Sequence, residues 1–215
     1  MARPEGTAGK ADYLPPDKVH AVAQALGDEP EGLRNQALWW LGLSTACRVG
    51  EMLQLRVCDV WVEVPERGCL HNIVVDGSHT KTGKTRTVPV NRMAREAIGI
   101  YMLSRGAAGP GEPLFPSSRS PGRPLGYNRV EVLIHRAGLA AGLRFVRSHS
   151  MRRTAATEWM NAGVSIRAIQ ELLGHANLQI TQEYLSVSPG MLNSAAEGLS
   201  DLYSSSRLHS AIKIG

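Results

Sequence analysis

Between Ser148 and Val187 the chain places His149, Arg152, His175 and Tyr184 in a run that reads as three short helices. An arginine presents a planar fork of N–H donors that matches phosphate oxygens. A histidine donates a hydrogen bond or carries a proton near neutral pH, and a tyrosine hydroxyl can act as a nucleophile. Together they point to covalent chemistry on a phosphate ester. Taken singly, each has a plainer reading. His149 and Arg152, three apart, would be a solvated pair on a helix. His175 after Gly174 would close a helix end, and Tyr184, between Ile180 and Leu185, would be a half-buried core residue. Only the conjunction is hard to explain as packing.

These residues need a scaffold, and the apolar periodicity supplies one. Residues 1–12 (MARPEGTAGKAD) lack an apolar period and read as a flexible N-terminus. Pro15-Pro16-Asp17 opens an amphipathic helix with Val19, Val22 and Leu26 on one side, proline being tolerated in a first turn. Residues 33–46 (LRNQALWWLGLSTA) read as a more buried helix, in which Trp39-Trp40 is core rather than a platform for stacking bases, and Val49–Leu55 as a short helix. Leu70–Val75 and Thr85–Val90 are β-rich and predict a hairpin across the polar GSHTKTGK.

Residues 91–104 are helical in pattern, and the Gly-, Pro- and Ser-rich segment 106–125 predicts a surface loop. From Tyr127 the pattern is helical again, with breaks at Gly138, at 142–147, at Gly163 and at Gly174-His175. The expected fold is mainly α with a small antiparallel β-sheet, an α+β arrangement. One domain is expected over residues 13–188, with a tail over 189–215.

Composition narrows the partner. The 215 residues carry 24 Lys+Arg against 19 Asp+Glu, a net charge of +5, which only modestly favours a polyanion. Cys47, Cys58 and Cys69 show no CxxC spacing and read as free thiols in a reducing, cytoplasmic setting. No metal-ligand spacing links the histidines, and no apolar run approaches the roughly 18 residues that span a bilayer.

The motifs carry a resemblance. His149-Ser-Met-Arg152, Leu173-Gly174-His175 and Tyr184 are similar to the active-site boxes of the tyrosine recombinases, or phage integrase family. Upstream, Thr45-Ala46-Cys47-Arg48-Val49-Gly50-Glu51 resembles that family's first arginine box, with Ala46 where glycine is common. The run Lys81-Thr-Gly-Lys84-Thr-Arg86-Thr-Val-Pro89-Val90 resembles the hairpin carrying the catalytic lysine, with Lys81 the match and Lys84 its neighbour. Arg153 stands where a histidine is usual. The resemblance spans about Tyr13 to Pro189 and implies a tyrosine recombinase catalytic domain. Most family members also have an N-terminal helical domain that completes a clamp on DNA, so the chain is expected to be either a minimal member or a fragment.

The resemblance implies roles that agree with the chemistry of the side chains. Arg48 and Arg152 would hold the non-bridging phosphate oxygens, with His175 adding a hydrogen bond. His149 would accept or relay the proton of Tyr184, the nucleophile. Lys81 would protonate the departing 5′-oxygen, and Glu51 would orient His149 or an arginine. Attack leaves a 3′-phosphotyrosine and conserves the phosphodiester energy, so no cofactor is expected: neither ATP nor a metal.

Arg86, Arg144, Arg147 and Arg153 are candidates for the DNA backbone, while Arg119–Arg123 reads equally as a solvated loop. The expected partner is double-stranded DNA, with self-association into a synaptic tetramer and no membrane. In the tail, Leu208–Ile214 would dock on a neighbouring protomer or pack on its own chain. Two other functions fit the same residues. A DNA-binding regulator would not need Tyr184, and a type IB topoisomerase-like enzyme would relax DNA without exchanging partners.

Overall fold

In the computed structural model, residues 13–62, 68–79 and 83–174 are described. Lys81, His175, Tyr184, the N-terminal segment 1–12 and the tail 189–215 lie outside them, as does the proposed helix around Tyr184. All described residues belong to one compact unit spanning residues 1–184.

Helix α1 (Pro16–Ala25) starts with Pro16 in its first turn and buries Val19 and Val22, with Leu26 just beyond its end. Helix α2 (Pro30–Thr45) begins three residues before its expected start, again on a proline. It runs through the core, with Trp39 and Leu41 fully buried, and packs against α5 (Arg92–Arg105) and α7 (Ser148–Asn161). Two short helices follow, α3 (Val49–Met52) and α4 (Val57–Val60). Each is set by an acid three residues past its N-cap that accepts the N-cap amide, Glu51 from Arg48 and Asp59 from Arg56, both at 2.8 Å.

The expected hairpin is present: β3 (Asn72–Val75) pairs antiparallel with β4 (Arg86–Pro89), Ile73 opposite Val88 and Val75 opposite Arg86. Ile73, Val75 and Val88 point into the core while their neighbours face outward, the alternation a one-sided ribbon requires. A second ribbon, β1 (Trp61–Val62) with β2 (Gly68–Cys69), is too short for periodicity to register.

Two expectations are corrected. The stretch 106–125 is not simply a surface loop. It contains an antiparallel ribbon, β5 (Pro116–Ser117) with β6 (Ser120–Pro124), and anchors Leu114 and Phe115 in the core. Arg34 on α2 holds this segment, donating 2.9 Å hydrogen bonds to Pro116 O and Ser118 Oγ, so polar composition concealed a buried attachment. Nor does the chain break at Gly138. Helix α6 (Tyr127–Ala140) runs through it, and a Cβ there would lie 2.6 Å from Val146 Cβ. Glycine at this position lets α6 lie against the strand of chain that leads to α7. Helix α8 (Ile166–Leu173) completes the described fold, packing on α7 and on β4.

Candidate active site

The site is built where α2 ends. Its C-cap, Ala46, has φ 49° and ψ 23°, a left-handed conformation that costs a Cβ-bearing residue on the order of 1 kcal/mol. That turn reverses the chain so that Arg48 leads directly into α3. Glu51 then fixes Arg48 twice, accepting its backbone N–H at 2.8 Å and its Nη1 at 3.1 Å. The remainder of the guanidinium is accessible, with the Arg48 side chain 28% exposed.

Helix α7 supplies the opposite wall. Its first turn is tied down by Ser150 Oγ, which accepts the Arg147 N–H at 3.1 Å, and by Ser148 Oγ, which donates to Glu131 on α6. His149 is exposed at the helix start, and one turn on Arg152 is 2% exposed. Arg152 Nη1 donates to Ala46 O and Nη2 to Leu173 O, so one side chain joins the α2 turn to the end of α8. Arg48, His149 and Arg152 line a single open cavity of about 380 Å³, with Cys47, Glu51, Tyr127 and Ser148 around them.

Glu51 is the charge pivot. Besides Arg48 it receives Arg86, with Nη2 at 2.8 Å from Oε2 and Nη1 at 3.3 Å from Oε1. Burial raises the pKa of its carboxyl, but hydrogen bonds from Arg86 and from the Arg48 amide outweigh that, and the group lies below the ordinary carboxylate value. It is therefore ionised at neutral pH. Burial alone would lower the Arg86 pKa, and the bond to Glu51 reverses this and raises it. Burial pushes the Cys47 thiol up and keeps it protonated, despite a hydrogen bond from Thr45 and the nearby arginines that act the other way.

Of the residues expected from sequence, the structure brings together Arg48, Glu51, His149 and Arg152. Arg144 and Arg147 are exposed on the approach to α7, and Arg153 is half-buried on it. Arg86 is only 10% exposed and is committed to Glu51, Leu172 O and Cys47. Lys81, His175 and Tyr184 lie outside the described residues. Sequence reasoning missed Tyr127, whose phenol borders the cavity. Burial raises its pKa, a hydrogen bond with Ser148 opposes this, and the Glu131 carboxylate adds to it. No motif spacing marks Tyr127, since only the folded contact of α6 with α7 brings it there.

Residues 12–190 match the phage integrase family model, over most of the chain. The chain belongs to that family. The XerC tyrosine recombinase of Bacillus subtilis (strain 168) is 35% identical over 173 residues, covering 76% of this chain and 53% of the relative. The XerA tyrosine recombinase of Thermococcus kodakarensis is 34% identical over 205 residues, covering 90% of this chain and 69% of the relative. The chain thus spans about half the length of several curated relatives it matches.

Among solved structures, XerA recombinase aligns at TM-score 0.68 and 27% identity, over 88% of this chain and 66% of that one. The Tn1549 transposon integrase in complex with transposon right end DNA aligns at TM-score 0.72, over 91% of this chain and 68% of that one. At 18% identity that likeness concerns the fold alone. The expected α+β recombinase fold and family are borne out.

Proposed function

We propose that this chain is the catalytic part of a tyrosine-type site-specific recombinase, cleaving and rejoining DNA strands through a 3′-phosphotyrosine. The observation that carries this reading is the convergence of Arg48, His149 and Arg152 on one open cavity, from segments about a hundred residues apart. The nearby buried carboxylate, Glu51, is already paired with Arg48 and Arg86, so the wall keeps a net positive character suited to a phosphodiester.

In the proposed reaction Tyr184 Oη attacks the scissile phosphorus, and its proton passes to His149. The bond from phosphorus to the 5′-oxygen breaks, and Lys81 protonates the departing oxygen. Arg48, Arg152 and His175 hold the non-bridging oxygens through the transition state. A 5′-hydroxyl from a second duplex then attacks the phosphotyrosine, reversing each proton transfer and releasing Tyr184. One ester replaces another in both steps, so bond energy is conserved and ATP is unnecessary.

The partner is double-stranded DNA in the cytoplasm, with exchange between two sites requiring a synaptic assembly of protomers, four in the family pattern. Arg144, Arg147 and Arg153 would follow the DNA backbone beside the cavity. The test mixes the protein with fragmented, nicked genomic DNA, so that the cleaved strand is trapped. A denaturant-resistant adduct that disappears with Tyr184→Phe supports the reading, whereas an adduct that persists in that variant refutes the nucleophile. Relaxed circles without recombinant products would favour topoisomerase-like activity.

A further inference from the structure

The surroundings of Arg86 differ from those of a residue that grips DNA. Its guanidinium points inward, and two segments far apart in sequence share it. Nε donates to Leu172 O at 3.1 Å, at the last turn of α8. Nη1 and Nη2 both meet the Glu51 carboxylate, and Nη2 also lies 3.7 Å from Cys47 Sγ, next to Arg48. The following residue of the α8 end, Gly174, has φ +64°, and a Cβ built on it would come within 3.0 Å of Arg86 Nη1. Glycine is therefore needed there on two counts, backbone conformation and the close guanidinium.

We propose that Arg86 is a positioning residue, a latch that fixes the β3–β4 hairpin and the end of α8 to the Arg48 turn. The proposal rests on the recombinase reading and deepens it. The hairpin sequence carries Lys81 five residues before Arg86, and the chain leaves Gly174 directly into His175. One buried guanidinium thus fixes the bases of both segments against the carboxylate that orients Arg48. Arg152 supports the same helix end from the other side by donating to Leu173 O. Arg86 contributes its charge to Glu51, and a phosphate contact is not its task.

The test compares wild type with Arg86→Gln and Arg86→Lys in three measurements. Amide exchange reads the latch itself. In Arg86→Gln, the amides of residues 170–174 and 86–88 should exchange at least about tenfold faster, with the far side of the core unchanged. Equilibrium binding to DNA across a salt series reads phosphate contacts. Affinity should stay within about threefold and the salt slope should be unaltered, whereas loss of one phosphate contact would lower the slope by about 0.9.

Single-turnover adduct formation on nicked DNA reads the consequence, a fall of about 10- to 100-fold at saturating DNA. Arg86→Lys retains a point charge but cannot span Glu51 and Leu172 O together, so cleavage should stay depressed with normal affinity. Recovery of cleavage by lysine, or a reduced salt slope in the glutamine variant, would overturn the latch in favour of a phosphate contact. Unchanged exchange at 170–174 would also overturn it. If wild type forms no adduct, the recombinase reading fails, and the exchange measurement still decides the latch.

Discussion

Two of the hollows among the described residues each rest on a buried arginine, Arg34 or Arg152, and their charge balance separates them. Arg34 is 4% exposed and Arg152 is 2% exposed, and both donate to main-chain carbonyls distant in sequence. The hollow beside Arg34, about 340 Å³, is lined by two arginines, Arg34 and Arg105, and two glutamates, Glu31 and Glu112. Arg105 Nη2 meets Glu112 at 2.6 Å, and Arg34 faces Glu31 at 3.7 Å, so the charges are matched in place. The other hollow is lined by Arg48, Arg152 and a single carboxylate, Glu51, which pairs with Arg48 and with a third arginine, Arg86. Burial of an arginine is therefore a weak sign of function. What sets the candidate site apart is the convergence of Arg48, His149 and Arg152 on one cavity.

That contrast can be broken at either end. The largest effect is expected from Arg48→Lys. Cleavage of nicked DNA should fall by about 10²–10³, about 3–4 kcal/mol, through loss of one oriented guanidinium at the transition state. Its Tm should remain near wild type, because the side chain is partly exposed. Arg34→Met should do the reverse. It strands Pro116 O and Ser118 Oγ and should lower unfolding stability by about 2–4 kcal/mol in urea melts. Folded Arg34→Met protein should cleave within about threefold of wild type.

Glu51→Gln should cost about 2 kcal/mol at pH 7, since hydrogen bonds to its charged carboxylate are lost. The sign with pH follows from its lowered pKa. The stabilisation is complete above the ordinary carboxylate range and disappears as pH falls through the lower folded value. Denaturation curves of Glu51→Gln and wild type should therefore converge in acid. A constant gap down to pH 2 would show that the glutamate's charge is not what holds the arginines. The smallest effect is expected from Ala46→Gly, which relieves a left-handed alanine and should stabilise by up to about 1 kcal/mol, offset in part by the buried methyl it removes.

Sequence periodicity revealed α1, α2, α5 and the β3–β4 hairpin, because each presents apolar residues to a common core. It missed β5–β6, where proline and glycine suggest solvent although Leu114 and Phe115 are buried between two prolines. It also broke α6 at Gly138, because local propensity carries no knowledge of Val146 across the turn. At the site, motif spacing identified Arg48, Glu51, His149 and Arg152. Arg86 reads from sequence only as a candidate for DNA contact, without its pairing to Glu51. Its partner Glu51 lies 35 residues away, and no local pattern records a pairing of that kind. Ala46 shows the converse: the glycine common there in the resembling family corresponds to a positive φ in this structure.

The double attachment of Arg152 also bears on when the molecule becomes competent during synthesis. Its carbonyl partners sit 106 residues before it and 21 residues after it, so the connection can close only once α8 has left the ribosome and folded. Contacts of such sequence separation form late, after the loop entropy between them has been overcome. A growing chain therefore carries Arg48 and Glu51 long before it can hold them in working order. Arg152 joins the α2 turn to the end of α8 only when the helices on both sides of it are in place.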